Sequence, residues 1–140
     1  MEARKQNELQ EKYMELQSLK QQISALVEQK QAVDEKEAEI KMTIDSLKKL
    51  DTIKDGEDMW STLGSSTFVQ SGIKDRNNVL VAVGAGVVVK ESVPKAIELL
   101  EERAKDIEAV GAEVVNQANT FLQRVNQLEP ELQKLAEQAK

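Results

Sequence analysis

From Leu9 the apolar residues return at alternating steps of three and four, through Leu16, Leu19, Ile23, Leu26, Val33, Ile40, Ile44 and Leu47. Glu, Gln and Lys fill most of the positions between them, and no Gly or Pro occurs before Gly56. A heptad stripe held this long predicts one extended coiled-coil helix over 6–50. At about 1.5 Å per residue it would run some 67 Å. The same spacing resumes after Ser92-Val93-Pro94 and continues through Ile97, Leu100, Ala104, Ile107, Gly111, Val114, Ala118, Phe121, Val125, Leu128, Leu132, Leu135 and Ala139. Ser92 is suited to cap the first free amides and Pro94 to the first turn, so a second helix is expected over 93–139. Pro130 lies off the stripe and is expected to kink or loosen the last turns.

Two arms of nearly equal length, joined by an insert at one end of each, fold back as an antiparallel pair. If Leu50 lies near Pro94, facing positions sum to about 144 to 146, and both chain termini meet at the free tip. Lys30 and Glu37 occupy stripe positions where an apolar residue is expected. They read either as tolerated seam charges, their stems lying along apolar surface, or as a softened section facing Ala109 and Gly111.

Between the arms the period changes to two. Val79 to Lys90, VLVAVGAGVVVK, is β-branched on both faces and broken once at Gly84-Ala85-Gly86. It reads as a hairpin apolar on both sides. Met59 to Ile73 reads as another, turning at Gly64-Ser65, and Asp75-Arg76-Asn77-Asn78 links the two. The fold class is therefore α+β: a long antiparallel coiled coil with two hairpins over 58–91 at one end, in a single domain spanning 1–140. Four such strands are expected to form one sheet with a face the helices leave bare. A bare Val-rich face is an aggregation hazard unless other chains cover it, so the hairpins are read as an oligomerisation hub.

Charge narrows the partners. The formal net charge is -6, and residues 1–50 carry 10 acids against 9 bases, so no basic face is offered to nucleic acid or an anionic membrane. There is no Cys and no His, hence no thiolate nucleophile and no zinc site of the usual kind. Gly84-Ala85-Gly86 lacks the third Gly of a dinucleotide fingerprint, and no phosphate-binding loop motif is present. Glu101-Glu102 and the Glu129/Glu131 pair read as solvated charge. The expected catalytic, cofactor-binding and metal residues are none, the expected cofactor is none, and the chain is not read as an enzyme. The N-terminus lacks a signal-like apolar core, and a cytoplasmic location is expected. Tyr13, Met14, Leu132, Leu135 and Ala136 fall near the free tip. There the pattern allows seam packing or a contact site for exposed apolar segments. Val27, Leu99, Val110, Val115 and Leu122 flank the stripe, either widening the packing or facing a client.

Helix, two hairpins, helix, with VAVGAGVVVKES before the second helix, resembles the alpha class of prefoldin subunits, particularly the archaeal form. Val81, Val83, Gly84, Gly86, Val89, Lys90 and Ser92 fill the places of that family's V-x-V-G-x-G-x-x-V-[EK]-x-S. Trp60 to Phe68 departs from its L-V-P-x-G-x-G-S-F by lacking the Pro. The resemblance implies an ATP-independent holding chaperone. Two alpha and four beta subunits would join their hairpins into an intersubunit β-barrel, and the coiled-coil tips would hold unfolded clients for delivery to a group II chaperonin. It implies client contacts at Met1, Leu9, Tyr13, Met14, Leu132, Leu135 and Ala136. It implies assembly contacts at Trp60, Phe68, Val69, Val79, Val81, Val83, Val87 and Val89. The alternative is a structural coiled coil or a filament-forming relative without client transfer.

Overall fold

The structure is a computed structural model and describes residues 1–138. The element order is helix α1 (Glu2–Lys48), a short 3-10 turn (Leu50–Thr52), strands β1 (Met59–Gly64), β2 (Thr67–Ser71), β3 (Asn78–Gly84) and β4 (Val87–Ser92), and helix α2 (Val93–Gln138). The last stripe position, Ala139, lies outside the described residues. The chain divides into two units, Met1–Lys36 with the stretch from Ile107 onward, and Glu37–Asp106.

In the first unit α1 and α2 pack side by side in opposite directions. Leu16, Leu19, Val125 and Leu128 form its core, with Ile23, Phe121 and Leu132 packed against them. Among the described residues of this unit, Leu128 is the one large side chain that is wholly buried. Val33 faces Gly111, a pair summing to 144, and a Cβ added at Gly111 would sit 3.3 Å from Val33 Cγ1. The Lys30 stem lies over the same glycine, its Cε 3.7 Å from that Cβ position, while its ammonium reaches Asp34. Lys30 thus lays its chain along apolar surface and keeps its charge in water. Pro130 sits inside α2, which runs on to Gln138.

In the second unit Ile40 and Ile44 of α1, Val81 of β3, and Ala96 and Leu100 of α2 are buried. Ser92 caps α2 as its sequence suggests, its Oγ accepting the Lys95 N–H at 3.3 Å. The strands do not join into one four-stranded sheet. They form two separate antiparallel ribbons, β1 with β2 and β3 with β4. Arg76 ties the connecting segments together, donating to the Ile53 carbonyl at 2.7 Å and to Asp55. Asp75 accepts the backbone N–H groups of Asn77 and Asn78, and the Asn77 bond in particular holds its carboxyl below the ordinary value.

The two ribbons share one geometry at an offset of 20 residues. Met59 pairs Ser71 as Val79 pairs Glu91, and each register shifts one residue before the turn, at Thr62/Gly64 and at Ala82/Gly84. The turns are centred on Ser65-Ser66 and Ala85-Gly86, one residue later than expected in the first ribbon, because Gly64 is taken up by the bulge. Both central residues have positive φ, 47° and 59° in the first ribbon, the pattern of a hairpin turn that suits Asn-Gly. Serine is strained there. Ser65→Asn/Ser66→Gly is expected to stabilise this unit by about 1 kcal/mol, read as a rise in its denaturation midpoint.

Candidate functional site

Among the described residues, at least two regions leave apolar side chains uncovered. The first is the end of the helical pair that holds the start of α1 and the end of α2. Leu9, Gln10, Tyr13 and Leu16 of α1 and Leu132 and Ala136 of α2 line an open groove of about 470 Å³. The heptad pattern builds it: Leu9, Leu16 and Leu132 are stripe residues, and Tyr13 and Ala136 flank the stripe on one side. Leu16 belongs to the core below and forms the floor. Tyr13 is 56% exposed despite its apolar ring. Of the residues that the resemblance assigns to clients, the structure brings Leu9, Tyr13, Leu132 and Ala136 into this groove. Met1 and Met14 stand exposed outside it, and Leu135 is half-buried on the stripe. Gln10 was missed because a polar residue one step past the seam carries no apolar signal.

Ion pairs brace the groove. Lys12 Nζ reaches Glu131 at 2.9 Å, Arg124 Nε reaches Glu15 at 2.8 Å, and Lys20 lies 3.8 Å from Glu129. The Arg124 hydrogen bond holds the Glu15 carboxyl below its ordinary pKa, and the Lys12 hydrogen bond does the same for Glu131. A carboxylate lowered in the folded state adds stability above its unfolded pKa and loses it as pH falls through the folded value. The advantage of the wild type over Glu15→Gln/Glu131→Gln in thermal midpoint is therefore expected at neutral pH. It should shrink to nothing on acidification below the carboxylate range. Both carboxylates remain open to solvent, which screens the pairs and keeps the effect small.

The second region is the pair of ribbons. On β1–β2 Trp60 and Phe68 share a face, and on β3–β4 Leu80 and Val88 occupy the equivalent places. All four are exposed, Trp60 at 68% and Leu80 at 72%. The opposite face of β3–β4 is partly covered within the chain: Val81 is buried, Val79 and Val89 half-buried. Val69, Val83 and Val87 remain exposed, as does Leu63 at the first bulge. Leu80, Val88 and Leu63 were not singled out from sequence, because alternation separates the two faces of a strand without saying which one the chain covers itself. Among the described residues no cluster of three or more His, Cys, Asp or Glu is placed to hold a metal ion. No helix among them is long and apolar enough to cross a membrane.

Comparison with known proteins places these features in a family. The family described as Prefoldin subunit matches residues 19–138. The prefoldin subunit alpha of Archaeoglobus fulgidus is 28% identical over 127 residues, covering 91% of this chain and 93% of the relative. That of Pyrococcus horikoshii is 31% identical over 107 residues, covering 74% and 71%. Among solved structures, the filamentous PFD of Methanocaldococcus jannaschii superposes with a TM-score of 0.75 at 18% identity, covering 85% of this chain and 98% of that one. The prefoldin beta subunit from Thermococcus strain KS-1 gives 0.60 at 20% identity, covering 91% and 90%. At such identities the structural likeness speaks for the fold.

Proposed function

The chain belongs to the prefoldin family, and on that footing we propose that it is an alpha-type subunit of an ATP-independent holding chaperone. Its ribbons join those of beta-type subunits, two alpha with four beta closing an intersubunit β-barrel. The paired helix ends hold apolar stretches of unfolded clients in the cytoplasm and pass them to a group II chaperonin. The observation that carries this reading is the groove at the helix ends: open, apolar, and built from residues that a purely structural coiled coil would have no need to leave uncovered. Apolar surface left open in a soluble chain marks a place of contact. A groove without nucleophile, metal cluster or phosphate cradle offers contact in place of chemistry.

The test is aggregation of a chemically unfolded client, followed by light scattering, with this chain and a beta-type partner and no nucleotide. Wild type is expected to suppress scattering, and Tyr13→Ser/Ala136→Glu to lose most of that protection while retaining helix content. Both positions are exposed, so their loss reads binding and not folding. Scattering equal with and without the wild-type complex would overturn the proposal. A second reading, a filament subunit, is favoured by one feature: the exposed outer faces of the ribbons fit another copy of this chain as readily as a different subunit. Sedimentation of the chain alone decides it, open-ended growth supporting the filament and a discrete complex formed only with a beta partner supporting the chaperone.

A further inference from the structure

The groove at the helix ends has a counterpart on the same side of the helical pair. Leu26, Val27 and the Lys30 stem of α1 face Val114, Val115 and Ala118 of α2 across an open groove of about 340 Å³. Heptad geometry puts the two grooves in line. With Leu9, Leu16 and Ile23 at position a of α1, Tyr13, Lys20 and Val27 occupy position e. With Ala118, Val125 and Leu132 at a of α2, Val115, Leu122, Glu129 and Ala136 occupy e. In an antiparallel pair the e residues of both helices border one side and the g residues the other. The contacts agree: Lys20 meets Glu129, both e, whereas Glu15 meets Arg124, both g.

The two sides differ in character. The e side carries Tyr13, Val27, Val115, Leu122 and Ala136, with the exposed Lys20–Glu129 pair as its charged members between the two grooves. The g side of this unit carries Glu15, Gln22, Gln29, Gln117 and Arg124, with Val110 its one apolar member. Val27 is 59% exposed and Leu122 43%, so neither serves the seam. Nothing in the packing of two helices requires this asymmetry.

We propose that the two grooves form one track that takes a single extended segment of an unfolded polypeptide at two apolar clusters. The proposal rests on the holding-chaperone reading and adds a second point of attachment to it. Continuity selects this occupant, because the track starts in the client groove and runs along the same side. Charge agrees, since the cations along it are matched by acids, Lys20 by Glu129 between the two apolar clusters and Lys30 by Asp34 in the second groove, leaving no net field to draw a charged ligand. Area excludes a second copy: a stable pairing buries about 800 Å² per partner, far more than five partly exposed side chains supply. Tyr13 and Val27 are fourteen residues apart on α1, about 21 Å at the helical rise. An extended chain covers that distance in about six residues at roughly 3.3 Å each. The track therefore reads spacing: apolar clusters about six residues apart reach both grooves, and closer ones reach only one.

The experiment uses the full-length chain and three fluorescein-labelled peptides, read by anisotropy. One carries Leu-Phe-Leu at both ends of a three-residue Gly/Ser spacer, which sets the two Phe six residues apart, the second has one cluster replaced by Ser-Ser-Ser, and the third joins the two clusters with no spacer. The first is expected to bind at least about tenfold more tightly than the others, since the second cluster binds at high effective concentration. Val27→Ser/Val115→Ser should remove that advantage and leave the one-cluster peptide unchanged. Equal affinities for the three peptides, or an advantage that survives Val27→Ser/Val115→Ser, would overturn the track while leaving the groove at the helix ends intact. A change in the sedimentation of the peptide-free variant would overturn it in favour of a second copy on this face. Failure of any peptide to bind wild type would sink the holding function together with the track.

Discussion

Leu128→Ala is expected to destabilise the paired helices by about 3 kcal/mol, the largest loss we anticipate from one core truncation. Leu128 is fully buried among Leu16, Leu19 and Val125. Removing its isopropyl group forfeits the transfer of that group from water and leaves a void. The void cannot close easily, because ion pairs on the same turns, Glu15 with Arg124 and Lys12 with Glu131, hold the two backbones at their present separation. Alanine's better helix propensity returns only a few tenths of a kcal/mol. Leu122→Ala is the internal control: the same chemical change at a side chain 43% exposed should cost well under half as much. Urea unfolding followed by circular dichroism measures both, and equal losses would contradict the packing described for Leu128.

Trp60→Ser/Phe68→Ser is expected to weaken association with beta-type subunits by about a hundredfold or more, since aromatic anchors dominate interface energies. The two rings share the outer face of β1–β2 and are exposed in the single chain, Phe68 at 58%. Folding of the chain alone should therefore change little. Sedimentation with a beta-type partner reads the association, and thermal unfolding of the chain alone reads the fold. Unchanged association would move the interface to the Leu80 and Val88 face of the other ribbon.

The helices were legible because their signal is redundant. Every stripe position from Leu9 to Leu47, Lys30 and Glu37 included, is at least half-buried, as a heptad repeated six times demands. Ser92 announced its own cap for the same local reason. The ribbons were legible as strands, yet their arrangement was not. Whether β2 pairs β3 depends on the link through Gly72 to Asn77, where Arg76 turns back to Ile53 and Asp55, and no periodicity encodes so distant a bond. The candidate groove was half legible. Leu9, Tyr13, Leu132 and Ala136 emerged from pattern and resemblance together, whereas the floor provided by Leu16 and the rim provided by Gln10 exist only once two helices face each other. The second groove was visible only as Val27, Val115 and Leu122 standing off the seam. A single helix does not say which of its flanks will share a side with those of its partner.

Gly111 gives the helical pair an index mark. An apolar seam with leucines and valines at regular intervals is nearly periodic, and a periodic seam tolerates sliding by one heptad. Only in the native setting does the residue without a Cβ stand before Val33, where an added Cβ would be 3.3 Å from Cγ1. A slide of seven residues brings Ala104 or Ala118 to that place, forcing the crowding that glycine avoids. The same slide would part Lys12 from Glu131 and Glu15 from Arg124. The glycine thus acts as a vernier, setting the helices against each other to the residue, and with them the alignment of every side chain that lines the two grooves.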